Sequence, residues 1–456
     1  MSTYVAAIDL GSSKVAVAIG EKSSQGIRIL AYAQVPNKGI KRGEIINITE
    51  VLKALNPAIA EANKQINTRP AQETLTIREV FVGISDAHID CGAKSMKFTR
   101  SNADDVITAQ EIRKMIKDVY KEGKDNRCIL HVVPQAYNIG EHIGQSDILG
   151  CNGAEVEGSY KIFSGKSASA DSIRTTVGRT DSRVKARTLI LEPIAAASAV
   201  LTKEEKELGV ALVDIGAGTT DIVLYHKGIV RHAVTIPIAG DAITADIASH
   251  CVIPSVDAEN IKKLWGGCIT EYAPKRIIKW KDGSCDLTHA KLYECIEARI
   301  KEILNTAIHE IEESGIKDKL RRGIVLTGGS SRLHFIQPLA ARMSGMPTRI
   351  SIPHSGVIAT GSVDAIYDPA ASVAVGLVVE GFRELENDEN AVEMVEIRLA
   401  EYKDGDGDLF VTPKPSDPKE SGNPNPGTKP DKEKNKGRSF IHRLGGLFTT
   451  DDNNQA

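Results

Sequence analysis

Residues 212–225 read LVDIGAGTTDIVLY. An apolar run closes on Asp214. The small residues Gly216, Ala217 and Gly218 follow, then the hydroxyls of Thr219 and Thr220, a second carboxylate at Asp221 and another apolar run. The pattern predicts a buried strand, a tight turn and a second strand. Small residues in such a turn let backbone amides approach an anion, because no Cβ blocks the way. A carboxylate beside the turn repels a phosphate unless Mg²⁺ lies between them, commonly through water.

Residues 5–19, VAAIDLGSSKVAVAI, repeat this grammar: strand, Asp9, the turn Gly11-Ser12-Ser13-Lys14, strand. One copy is weak evidence, since Asp-Gly turns join many strand pairs. Two copies, about 200 residues apart, predict two similar half-domains that each offer a phosphate-binding hairpin to one cleft.

The 456-residue chain has room for roughly two to four domains. Its 41% hydrophobic and 26% charged content is that of a soluble globular protein. A net charge of −3 supplies no basic field, so composition gives no argument for nucleic acid. Seven cysteines (91, 128, 151, 251, 268, 285, 295) are scattered with no C-x-x-C pair, which reads as reduced cytosolic thiols. No signal-peptide layout opens the chain, and no apolar run reaches the ~20 residues of a spanning helix, so membrane contact is expected to be peripheral.

In chain order, 28–36 reads as a strand, 39–47 as a loop ending near a Thr49 N-cap, and 51–66 as a helix. Residues 79–90, EVFVGISDAHID, read as an apolar strand. The segment 85–165 changes character, with a helix at 107–122, a strand at 128–140 and glycine-rich turns, and reads as an insertion. His88, His131 and His142 there have no metal-ligand spacing and read as structural. Residues 188–201, TLILEPIAAASAVL, and 368–380, DPAASVAVGLVVE, share an acid, a proline and a run of small residues. They predict two helices that cross closely at a hinge. Helices are expected at 239–249, 257–266 and 292–315, the last closed by Gly315. Residues 323–336, GIVLTGGSSRLHFI, predict a strand, a Gly-Gly turn and a helix.

From Lys403 to Lys436 the composition breaks to six prolines with many Asp, Lys, Asn and Gly, the signature of a flexible linker. DGDGD at 404–408 fails as a calcium loop, because Leu409 and Pro415 occupy the glycine and glutamate positions. Beyond it, Phe440, Ile441, Leu444, Leu447 and Phe448 cover about 120° of a helical wheel, flanked by Arg443. Such a tethered amphipathic helix suits an anionic membrane surface, the alternative being docking on its own domain.

Together these segments resemble the FtsA family, cell-division members of the actin, heat-shock-chaperone and sugar-kinase superfamily. The resemblance spans essentially the whole chain: IDLGSSKV, VFVGIS, ILHVVPQ, LEPIAAASAV, DIGAGTTDI, GDAITADIA, AENIKKLWG, EARIKEIL, GIVLTGGSSRL and ASVAVGLV. It implies an α/β, actin-like (ribonuclease H-type) duplicated two-domain ATPase fold with an inserted subdomain and a disordered linker ending in an amphipathic helix. The implied division gives 1–84, 166–202 and 365–402 to the first actin-like domain and 85–165 to the insertion. The second domain takes 203–228 and 296–364, its smaller subdomain 229–295, the linker 403–436 and the membrane-targeting helix 437–450.

Carried onto this chain, the resemblance implies ATP with Mg²⁺ held through water by Asp9 and Asp214. Gly11, Ser12, Ser13 and Lys14, with Gly216, Ala217, Gly218 and Thr219, would hold the phosphates by backbone. Glu192 takes the position of the residue that orients the attacking water. Gly328, Gly329 and Ser330 would line the adenosine, Arg332 would stack on the base, and Glu259 and Lys262 would approach the ribose and adenine edge. Where the family often has Gly-Gly-Gly-Ala, this chain has Gly328-Gly329-Ser330-Ser331. The implied role is a switch with slow or no ATP hydrolysis. It would tether FtsZ by its C-terminal peptide to the cytoplasmic face of the membrane at the division site, recruit later division proteins and self-polymerise. A PilM-like scaffold or a cytosolic actin-fold ATPase is the alternative.

Overall fold

The computed structural model describes residues 3–387 apart from 25, 68–75, 124–125, 281–286, 355 and 360–362. The linker at 403–436 and the amphipathic helix at 437–450 lie outside the described residues.

Both quoted hairpins form, and each becomes the centre of a sheet because its apolar runs are buried on both faces. In the first sheet, Tyr4–Leu10 pairs antiparallel with Lys14–Ser23, which pairs antiparallel with Gly26–Pro36. On its other side Tyr4–Leu10 runs parallel to Glu79–Ile84, and that strand runs parallel to Lys185–Leu191. The second sheet repeats the order and directions with Ile229–Ile236, Thr220–His226, Val210–Ile215, Ile324–Thr327 and Thr348–Ile350. The likeness of the two halves is therefore topological. A sixth strand, Val357–Ala359, returns to the edge of the first sheet ahead of the boundary expected at 364.

Helices cover these sheets where their apolar stripes dictate. Ile48–Asn67 buries Val51, Leu55, Ile59 and Ile66 against the first sheet in spite of Pro57. It begins one residue before Thr49. Asn47 is the cap instead, its Oδ1 accepting the Glu50 N–H at 3.2 Å. Gly240–Cys251, Ser255–Trp265 and His289–Glu313 enclose the second core, with Ile243, Ile261, Ile296, Ile300 and Ile303 fully buried. No described helix is long and apolar enough to cross a membrane.

The segment between the first sheet's parallel strands builds a third sheet, ordered Asp90–Thr99, Glu155–Lys166, Arg127–Ile139, His142–Gln145. The helix Ala109–Tyr120, opened by a Thr108/Glu111 capping box, packs Met115 and Val119 into that sheet's own core. The strand expected over 79–90 stops at Ile84. Residues 85–89 turn the chain out of the first sheet, and Asp90 begins the third.

Two helices join the halves, Glu192–Val200 and Ser372–Asn387. Their small residues allow near contact of the backbones: a Cβ on Gly376 would overlap the carbonyl of Ala195. Pro193 occupies the first turn, where its missing N–H costs no helical bond.

Candidate functional site: a carboxylate cluster between two phosphate-type turns

The second turn is oriented by its surroundings. The carbonyl of Gly216 accepts the Gly240 N–H at 3.2 Å and the Ser330 hydroxyl at 2.8 Å, and the carbonyl of Ala217 accepts the Asp241 N–H at 2.8 Å. With those carbonyls engaged, the amides of Ala217 and Gly218 make no hydrogen bond among the described residues, nor do those of Ser12 and Ser13 in the first turn. Unpaired donors on two facing turns are what an anion needs. The turns meet: a Cβ on Gly218 would overlap Ser12 Oγ and lie 2.9 Å from the Arg42 amide nitrogen.

Four carboxylates lie behind the turns. Asp9, Asp214 and Asp221 are 6%, 6% and 5% exposed, and Glu192 is 9% exposed. Burial raises them all; repulsion from neighbouring carboxylates adds to it for Asp9, Asp214 and Glu192, whereas hydrogen bonds to Asp221 work against it. Asp9 is pushed up to about 6, chiefly by burial and against the pull of Lys14. Glu192 and Asp214 stand well above the ordinary carboxylate range, again chiefly through burial. Among the described residues no side chain donates a hydrogen bond to Asp9, Asp214 or Glu192. Asp221 differs: Ser85 donates at 2.7 Å, Thr235 at 2.5 Å and Thr219 at 3.2 Å. A group of buried, donor-poor carboxylates is unfavourable as it stands and fits a hard divalent cation.

Asp221 lies within the motif, but the motif alone assigns it no role. Hairpin register carried the missing signal, because a four-residue turn at 216–219 sets Asp214 directly across from Asp221. Facing carboxylates on one side of a strand pair repel, which is itself a mark of function.

The other expected residues divide. Lys14 extends Nζ to Ala370 O (2.7 Å), Tyr32 Oη (2.9 Å) and Gln34 Oε1 (3.0 Å), tying the first turn to the start of the second connection. Ser330 lies against Gly216 and Gly240. Gly328 has φ +84°, and a Cβ there would overlap Asp214 Oδ1, so the Gly-Gly turn presses on the carboxylate cluster. It leads into a 3₁₀ turn, Gly329–Arg332, before the helix Ile336–Ser344. Lys262, buried, donates to Gly240 O at 2.9 Å and pairs with Glu259 at 2.6 Å, so these two hold the start of the 240–251 helix. Arg332 pairs with Asp368 at 2.9 Å.

Residues 39–47 were expected as a loop and form a small hairpin, Ile40–Lys41 with Glu44–Ile45, on the lip of the cleft. Behind it the ligand atoms of Glu44, Asp86 and His88 lie within 4.8 Å of one another. Asp86 is already satisfied by Ser169 (2.7 Å) and the His88 N–H (2.9 Å), and Glu44 by Lys166 (3.4 Å), which fits a structural cluster.

Two topologically equivalent sheets, joined by crossed helices across a cleft lined with phosphate-type turns, define the actin-like ATPase fold. A PilM–PilN type IV pilus biogenesis complex shares it, with a TM-score of 0.59 over 83% of this chain and 98% of that one, at 14% identity. The profile described as "Cell division protein FtsA" matches residues 211–376. Cell division protein FtsA of Pseudomonas aeruginosa is 32% identical over 389 residues, 83% of this chain and 89% of that protein. Its Escherichia coli K12 counterpart is 30% identical over 416 residues, 85% and 93% of the two chains. The chain belongs to the FtsA family of cell division proteins.

Proposed function

We propose that the protein is an ATP-binding switch that anchors the division machinery to the cytoplasmic face of the membrane. The observation that carries the nucleotide reading is the cluster of Asp9, Glu192, Asp214 and Asp221 behind two turns with unpaired amides. Mg²⁺ in this reading is held by Asp9 and Asp214 and neutralises charge shared with the phosphates. The backbone of residues 11–14 and 216–219 receives the phosphates. Gly328, Gly329 and Ser330 line the adenosine on one side and Glu259 and Lys262 on the other. Arg332, held by Asp368, flanks the base.

Glu192 orients water. Burial holds its carboxyl well above the usual range, so it accepts no proton until positive charge enters the cleft. Slow turnover and a switching role for ATP belong to this reading through the family resemblance. Closure on nucleotide links the two halves and biases self-assembly into actin-like protofilaments, to the extent that ATP binds the closed state more tightly.

Family membership supports the partners: the FtsZ C-terminal peptide on the 229–295 subdomain, and later division proteins on the 85–165 insertion. The sequence pattern supports a membrane contact by Phe440, Ile441, Arg443, Leu444, Leu447 and Phe448. The test is co-sedimentation with anionic liposomes of the full chain and of a chain ending at Lys436, with and without Mg-ATP. Only the full chain is expected to pellet. Equal pelleting, or none from either, contradicts the anchor.

A further inference from the structure

The lip hairpin is fixed to both phosphate-type turns. At its base, Asn37 donates from Nδ2 to Gly11 O (3.0 Å) and from its backbone to Ser13 O (2.9 Å). Its Oδ1 accepts the Gly39 N–H at 2.9 Å. At its tip, the amide of Arg42 faces Gly218, and a Cβ on Gly43 would collide with the carbonyl of Ser85 and lie 3.4 Å from Thr219 Cγ2. Lys41 lies close enough to Asp241, at the start of the 240–251 helix, to favour its charge. The tip belongs by sequence to the first half and packs on the turn of the second.

The tip residues themselves are unusual. Lys41 pairs with Glu44, leaving Arg42 and Gly43 as a two-residue turn with φ +52° and +83°, the signature of a type I′ turn. Such turns favour Asn, Asp or Gly at the first position, where a Cβ meets the following carbonyl. Arginine there is locally disfavoured. Its side chain is exposed, and among the described residues it makes no ion pair or hydrogen bond. A disfavoured backbone conformation that sets the main chain of Arg42 beside Gly218, where two anion-type turns meet, with a guanidinium that has no partner among the described residues, points to a ligand within that side chain's reach.

We propose that Arg42 contacts the terminal phosphate of the bound nucleoside triphosphate, acting from the first half on a group held by the second. This inference rests on the nucleotide reading above. A guanidinium presents a planar fork of donors to phosphate oxygens, and a contact made only to the third phosphate distinguishes triphosphate from diphosphate. Through Glu44, which meets Lys166 at 3.4 Å and His88 Nε2 at 3.5 Å, the same hairpin reaches the start and end of the inserted sheet.

The test measures Mg-ATP and Mg-ADP affinities of the full chain by calorimetry, for wild type, Arg42→Gly and Arg42→Gln. Glycine removes both the guanidinium and the φ strain, whereas glutamine removes the charge and keeps the strain. Both variants should bind Mg-ATP about tenfold more weakly and Mg-ADP within about twofold of wild type. The nucleotide-free melting temperature of Arg42→Gly should equal or exceed that of wild type, separating lost contact from lost fold. Equal losses for both nucleotides, or no loss for either, overturn the role of Arg42. A wild-type chain that binds neither nucleotide overturns the cleft assignment itself, and this inference with it.

Discussion

Replacing Asp9 by Asn should make the nucleotide-free protein more stable at neutral pH while destroying its response to Mg-ATP. Burial raises the Asp9 carboxyl from an ordinary 3.8 to about 6 in the fold. A carboxyl with a raised folded pKa favours the native state fully below its unfolded pKa and loses that contribution as pH rises through the folded value. Two pKa units correspond to about 3 kcal/mol of native-state destabilisation above pH 6. Asn keeps the shape without the charge, so about 3 kcal/mol is the upper bound of the gain, lessened because Lys14 loses an attractive neighbour. For a folded body of this size, about 0.8 kcal/mol/K of unfolding entropy converts that to a rise of about 4 °C. The gain should fall to about half at pH 5, where wild-type Asp9 is already mostly protonated in the fold. Mg-ATP at 100 times its Kd should raise the wild-type stability by about 2.7 kcal/mol and leave the variant unmoved. Differential scanning calorimetry at pH 5 and 7.5, with and without Mg-ATP, reads all four conditions. A nucleotide-free variant less stable than wild type at pH 7.5, or a gain independent of pH, refutes the reasoning.

Mg-ATP affinity should weaken from pH 7.5 to pH 5.5, by up to about tenfold per unit for each competing proton, because Asp9, raised to about 6, and Asp214, raised well above its ordinary range, take up protons in place of the cation; calorimetric titration at the two pH values checks it, and affinity that holds or rises on acidification counts against these carboxylates as cation ligands. Gly376→Ala should cost about 1–3 kcal/mol, since its Cβ overlaps the Ala195 carbonyl and drives the two connecting helices apart; an unchanged urea midpoint would show that the crossing yields freely. Ser85→Ala should cost about 1 kcal/mol, because Thr235 and Thr219 still donate to Asp221; a loss several times larger would make Ser85 the principal support of that carboxylate.

Much of the fold is visible in the sequence because its decisive signals are local. Near-continuous apolar runs on either side of Gly11-Ser12-Ser13 and Gly216-Ala217-Gly218 permit little other than buried hairpins. The small residues of 192–200 and 372–387 predict the close crossing that Gly376 and Ala195 make. What escaped depends on partners distant in sequence. The ion pair of Arg332 with Asp368, on the second connection, is one such contact. Residues 39–47 read as a loop because Arg42-Gly43 lacks the Asn-Gly signal of a type I′ turn, and packing on Gly218 and Ser85 supplies the constraint instead. The carboxylate cluster is partly legible: Asp9 and Asp214 stand out in their motifs, whereas Glu192 joins only through tertiary packing, its Oε1 lying 2.9 Å from where a Cβ on Gly83 would be.

The central claim is that this cleft binds Mg-ATP through its buried carboxylates. The direct measurement is calorimetric titration of the full chain with ATP at pH 7.5, with and without Mg²⁺, beside Asp214→Ala. The account predicts one Mg²⁺-dependent nucleotide site per chain in wild type and no detectable binding in the variant. Undiminished affinity in Asp214→Ala contradicts it.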